Sequence, residues 1–219
     1  MSAPLLTDAE LDRVRAAVAE AETRTSGEIV PYVVRQSGSY PVATWRGASY
    51  AALAAGIATL AAGWLYQGWE NTWLYSAGAV ALAMSGGGVL GALLAMVEPV
   101  RRALAGRDQL DEQVHRRAAV AFVEEEVFDT RDRTGILLFV PLFEHRIEVV
   151  GDTGISAKVE PHEWAEVVDL VRAGIKRQSL ADGLVHAVER CGDLLQRRGV
   201  ELRDDDTDEL PDDVRLRDE

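Results

Sequence analysis

Residues 134–155 read TGILLFVPLFEHRIEVVGDTGI. Two apolar runs, 136–140 and 147–150, are rich in β-branched and aromatic residues and flank the polar knot Glu144-His145-Arg146. Bounded by Gly135 and Gly151, these runs predict a β-hairpin whose first strand is buried. Gly151-Asp152-Thr153-Gly154 then turns the chain, glycine being free to take positive φ.

Outward from the hairpin, EIVPYVVR (28–35) predicts another strand. Pro31 has no amide to give to a ladder, which favours an edge position or a bulge. Residues 6–24 predict an amphipathic helix: Thr7 and Glu10 make a capping box, and Leu11, Val14, Val18 and Ala21 recur on one face. Residues 108–128 predict a second helix. Pro161 opens a third, with Trp164, Val167, Val168, Val171 and Ile175 on its buried stripe. Residues 180–198 predict a fourth, carrying Leu184, Val185, Val188, Cys191 and Leu195 and stopped by Gly199. Strands and helices in this order predict a sheet with helices for both faces.

The centre of the chain is of another kind. Residues 47–66 and 73–97 hold no charge, and twenty helical residues span about 30 Å, the thickness of a bilayer's hydrocarbon core. Trp45, Trp64, Trp69, Trp73, Tyr50, Tyr66 and Tyr75 gather near the ends of these runs, as an interfacial aromatic belt does. The link 67–72 is long enough only to reverse direction. Residues 46–98 therefore read as a two-helix transmembrane hairpin, against the alternative of Ala/Gly-rich core helices. Arg35 and Arg46 precede it, Arg101, Arg102 and Arg107 follow it, and the loop between holds Glu70 and no basic residue. Positive charge stays inside, so both termini are expected in the cytoplasm, at the inner membrane of a bacterial-type cell. The N-terminal sequence MSAPLLTDAELDR shows no basic-then-apolar signal pattern. Ala52 and Gly56, and Gly87 and Gly91, have small-xxx-small spacing. Such faces seal the hairpin on itself or join copies into a homo-oligomer.

The net charge of −13 over 219 residues argues against a nucleic-acid partner. Much of it is local: residues 203–219 carry nine acids against three arginines. Residues 200–219 have few apolar side chains to bury and are expected to be a disordered acidic tail. A lone cysteine, Cys191, excludes an internal disulfide.

Four stretches together resemble the TPM domain family: TSGEIVPYVV (25–34), RDRTGILLFV (131–140), HRIEVVGDTGI (145–155) and DGLVHAVERCGDLL (182–195). That family is named after a thylakoid lumen phosphatase-like protein, a photosystem repair factor and a nematode receptor modulator. The resemblance covers residues 5–45 and 108–199 and implies an α/β fold, an αβα sandwich, here interrupted by the transmembrane hairpin. Some relatives are described as metal-binding or as acid phosphatases. Many are exported and anchored by one helix at an end, whereas this chain carries its apolar spans inside the domain.

The residues themselves give no strong catalytic signature. Cys191 and Arg197 have the C-x5-R spacing of cysteine phosphatases, but they lie late in a helix and Cys191 falls on its apolar stripe, which makes it a core residue. His162-Glu163 lacks the second histidine of a zinc helix, and His115, His145 and His186 stand alone. The best polar cluster comes from strand ends. Asp129, Asp132 and Arg133 precede one strand of the hairpin, and Asp152 and Thr153 follow its partner, which brings them to the same edge. Asp132 and Asp152, joined by Glu28, offer hard oxygen ligands for Ca²⁺ or Mg²⁺, with Arg133 as a phosphate contact. The opposing reading is a solvated loop with turn-forming aspartates. The expectation is a non-enzymatic interaction or accessory module set in the lipid bilayer and acting on other membrane proteins. The alternatives are a metal-dependent phosphate-ester hydrolase and a divalent-cation sensor.

Overall fold

The computed structural model describes residues 5–65, 76–203, 205 and 209–217. Residues 1–38 and 111–219 form one compact unit, and residues 39–110 form another. The first contains α1 (Asp8–Glu22), β1 (Glu28–Val34), most of α5 (Arg107–Glu124), β2 (Gly135–Pro141), β3 (Glu148–Gly151), α6 (Thr153–Ser156), α7 (Pro161–Lys176), α8 (Leu180–Arg197) and β4 (Arg215–Arg217). The strands make one mixed sheet in the order β3-β2-β1-β4. β2 and β3 are the hairpin read from the sequence, antiparallel with Ile136 opposite Gly151 and Phe139 opposite Glu148. β1 runs parallel to β2, with Glu28 beside Gly135 and Val34 beside Pro141.

Alternation along β1 and β2 decides the layers, because successive side chains leave opposite faces. Ile29, Val33, Leu138 and Val140 face α1, α7 and α8, where they meet Val14, Val18, Val171, Leu184 and Val188. Val30, Tyr32, Val34, Leu137 and Phe139 face α5, packing with Val114, Ala118 and Ala121. Both strands are buried throughout, since helices cover both faces. The local signals act where the sequence puts them. Thr7 and Glu10 form the capping box of α1, Pro161 stands in the first turn of α7, and Gly199 ends α8 with φ 72°.

β1 is an inner strand of the sheet, but Pro31 lies where its side away from β2 is an edge that β4 does not reach. The Glu28 amide donates to Thr134 and the Val34 carbonyl accepts from Leu142, so the even-numbered residues of β1 turn their polar groups to β2. Pro31 is odd and faces the other side, where β4 pairs only with residues 32–34. The missing donor therefore costs no ladder bond.

The acidic segment departs from the expectation of disorder. Among its described residues, Leu210 is buried, Val214 and Leu216 pack against the core, and Arg215–Arg217 add β4 in parallel to β1. Two of its described acids pair with arginines remote in sequence, Asp205 with Arg131 at 2.7 Å and Asp213 with Arg15. The turn after β3 also differs from its reading. Gly154 has no positive φ; a Cβ there would stand 2.4 Å from the Asp132 carbonyl oxygen. Glycine is required by that close approach.

The second unit contains α2 (Pro41–Leu65), α3 (Ala77–Leu94) and α4 (Glu98–Ala105). The helices begin or end several residues away from the spans 47–66 and 73–97. The expected loop and belt residues Tyr66, Trp69, Glu70, Trp73 and Tyr75 lie outside the described residues. α2 and α3 pack through small residues: a Cβ on Gly91 would lie 2.2 Å from the Gly47 carbonyl oxygen, and one on Gly87 would lie 2.7 Å from that of Ala51. Gly56 packs on Met84. Arg46 then ties α4 to the base of α2, donating to the Leu104 and Ala105 carbonyls, both at 2.8 Å. These are orphan acceptors at a helix C-terminus, a favourable place for a cation.

Candidate functional site

The edge where β1 and β2 begin gathers the residues singled out from the sequence. Arg133 adopts φ 57° just before β2, in the left-handed region. Its guanidinium grips Asp152 with two nitrogens, Nε to Oδ2 at 2.7 Å and Nη2 to Oδ1 at 3.1 Å. It also lies over the Phe128 ring, 5.7 Å from the centroid. Asp152 is buried and caps α6, accepting from the Thr153 amide at 2.6 Å. Asp132 is held instead by Arg203. Glu28, also buried, accepts from the Glu209 and Leu210 amides at 3.2 and 3.3 Å.

Topology thus brings the loop of Asp132 beside the turn of Asp152, as the hairpin argument required. The carboxylates nevertheless go to different partners: one arginine, another arginine and a pair of amides. Among the described residues, no group of three His, Cys, Asp or Glu side chains is placed to hold a metal ion. Arg133 has its bidentate face on Asp152, the geometry a phosphate would need. In this structure each carboxylate is thus engaged by a protein partner of its own.

Beside this edge lies an open cleft of about 300 Å³ lined by Ser26, Asp132, Thr134, Gly154, Lys158 and residues 199–201. Its polar groups are spent on holding chain to chain. Ser26 Oγ donates to the Glu201 carbonyl at 2.7 Å, Thr25 donates to Val200 at 2.6 Å, and Thr134 donates to Ser26 at 2.7 Å. Lys158 Nζ donates to the Gly199 carbonyl at 3.0 Å. Burial places Cys191 in the core and pushes its thiol up to about 12, so the C-x5-R spacing supplies no thiolate.

Two features escaped the sequence reading. Glu144, in the polar knot, is buried and accepts from the Ser37 amide and hydroxyl at 2.8 and 2.6 Å. Glu22, at the end of α1, accepts from the Ile29 amide at 2.8 Å. Burial, then the nearby Glu28 and Asp212, push its carboxyl up to about 10 against that hydrogen bond. Neither has a signal in its own segment, because each partner is remote in sequence or lies beyond the helix.

These observations define a mixed α/β protein with two long apolar helices. The NMR structure of the BA42 protein from the psychrophilic bacterium Bizionia argentinensis is similar to it, with a TM-score of 0.61 over 99% of this chain and 99% of that one. The two are 18% identical, and the likeness shows the fold alone. No protein-family model and no curated protein sequence matches the chain.

Proposed function

We propose that the chain is a membrane-anchored TPM-like αβα domain, split by a transmembrane hairpin of α2 and α3. Its soluble unit serves as a non-enzymatic interaction or accessory module for other membrane proteins. It works at the cytoplasmic face of an inner membrane, with both termini on that side. The observation that carries this reading is the pair of outward faces of α2 and α3. Only 11% and 6% of their most apolar stretches are buried, and Tyr50, Leu53, Ile57, Leu60 and Trp64 stand exposed at helical spacing along α2. A buried core helix would hide such a stripe, whereas a bilayer covers it. The non-enzymatic half is supported by the edge of β1 and β2, whose carboxylates and Arg133 neutralise one another or cap backbone amides.

The test uses the full chain in isolated membranes. Alkaline carbonate should leave it in the pellet. Phosphate-ester turnover with Ca²⁺ or Mg²⁺ should stay at background. Release into the supernatant would contradict the anchor. Turnover above background that is lost in both Asp132→Asn and Asp152→Asn would replace the accessory reading with a hydrolase.

A further inference from the structure

The outer edge of β1 offers very little backbone to a neighbour. Polar groups of the odd residues 29, 31 and 33 face that side, by the alternation set at Glu28 and Val34. The Ile29 amide is already taken by the Glu22 carboxyl, and Pro31 has none. Of these three amides, that of Val33 is left to donate to the strand beside it, β4. A ladder this thin cannot by itself decide which segment lies there.

Side chains make the decision instead. Arg215 and Arg217 share a face with Tyr32 and Val34, and both reach Glu125, just past α5: Arg215 Nε to Oε2 at 3.0 Å and Arg217 Nη2 to Oε1 at 2.8 Å. The side chains of Glu125 and Arg215 are each 12% exposed, so that pair is largely shielded from water, whereas Arg217 is half exposed. On the opposite face Val214 and Leu216 pack against the cluster that joins α1, α7 and α8 to the sheet. Two residues before Arg215, Asp213 accepts from Arg15 Nε at 2.7 Å. The edge thus reads an extended segment as acidic, apolar, basic, apolar, basic.

We infer that the outer edge of β1, with Glu125, Arg15 and the Val214/Leu216 apolar sockets, is a strand-docking site for an extended partner segment of alternating apolar and basic residues. Residues 213–217 are its built-in occupant, which such a partner displaces. Charge complementarity selects the partner: one carboxylate that accepts two arginines favours a segment with cations two residues apart. Main-chain pairing adds affinity without sequence preference. The inference deepens the accessory-module reading and rests on it for its biological use, but the docking itself is independent of the membrane hairpin.

The experiment uses the full chain in detergent micelles and a fluorescein-labelled peptide of sequence DDVRLR. Wild type should bind it weakly, because its own segment competes. The doubly substituted chain R215E/R217E, whose own strand is repelled by Glu125, should bind at least about tenfold more tightly. Adding Glu125→Arg should abolish that binding and confer binding of the charge-reversed peptide DDVELE. Equal binding by wild type and R215E/R217E, or binding indifferent to the sign at residue 125, overturns the proposal. Hydrogen exchange on the wild type decides the matter if the substituted chain fails to fold. The Val33 amide, facing β4, should exchange at least about tenfold faster than those of Val30 and Tyr32, which face β2. Equal protection at all three would make β4 a fixed part of the core and overturn the exchange. Failure of either test leaves the carbonate extraction result standing, so the two readings fall separately.

Discussion

At the scale of single residues, charge is managed by partners remote in sequence. Glu22 shows the consequence for pH. Its carboxyl is raised from the ordinary 4.5 to about 10, first by burial and then by Glu28 and Asp212. Between those values the folded chain holds a proton that the unfolded chain has lost. The associated stability is fully present below the unfolded pKa and is lost as pH rises toward the folded one. Glu10, Glu163, Asp182 and Asp205 are held below their ordinary range, so their contributions fade only on acidification below about pH 4. Chemical denaturation of wild type should therefore show stability declining between about pH 5 and pH 9, and Glu22→Gln should flatten that decline. A slope unchanged by the substitution would remove Glu22 as its source. Asp152 is the buried half of an ion pair. Asp152→Asn keeps an acceptor for the Thr153 amide but strips Arg133 of its carboxylate, and should cost about 1–3 kcal/mol in a denaturant titration. The sequence shows that Asp132 and Asp152 reach one edge, because hairpin geometry requires it. It does not show that Arg203, seventy-one positions on, takes one of them.

At the scale of elements, what could be read was what local physics sets. The β2–β3 hairpin, the capping box of α1, the Pro161 start of α7 and the Gly199 stop of α8 each depend on neighbouring residues only. β4 could not be read that way. Three residues among acids have no periodicity to detect, and their apolar members count for little until Arg15, Arg131 and Glu125 neutralise the surrounding charge. The pairing of α2 with α3 was half legible. Small-residue spacing marked the face, and the structure spends Gly47, Gly87 and Gly91 on contact within the hairpin. Close approach there leaves no room for a side chain. Gly91→Val should force the helices apart and lower the unfolding temperature in detergent, at a cost of about 1–3 kcal/mol. Gly86→Ala, with nothing within 4 Å of the new carbon, should leave it unchanged. Equal effects of the two substitutions would contradict the packing of this face.

At the scale of the whole molecule, residues 1–38 and 111–219 make one compact unit, and the apolar helices belong to the intervening stretch of sequence. A chain that leaves one unit, enters another and returns to the first sheet needs an even number of crossings if the second unit spans a membrane. Two helices satisfy that, and a single span would place β1 and β2 on opposite sides although they are paired along seven residues. For a pair that spans a membrane, the flanking arginines, Arg46 among them on the end of α4, would favour the proposed orientation. Dual reporters read the proposed topology of the hairpin. A reporter fused after Glu219 should behave as cytoplasmic and one inserted at Asn71 as exported. A cytoplasmic signal from both positions, or the reverse pattern, would contradict the anchored hairpin or its orientation.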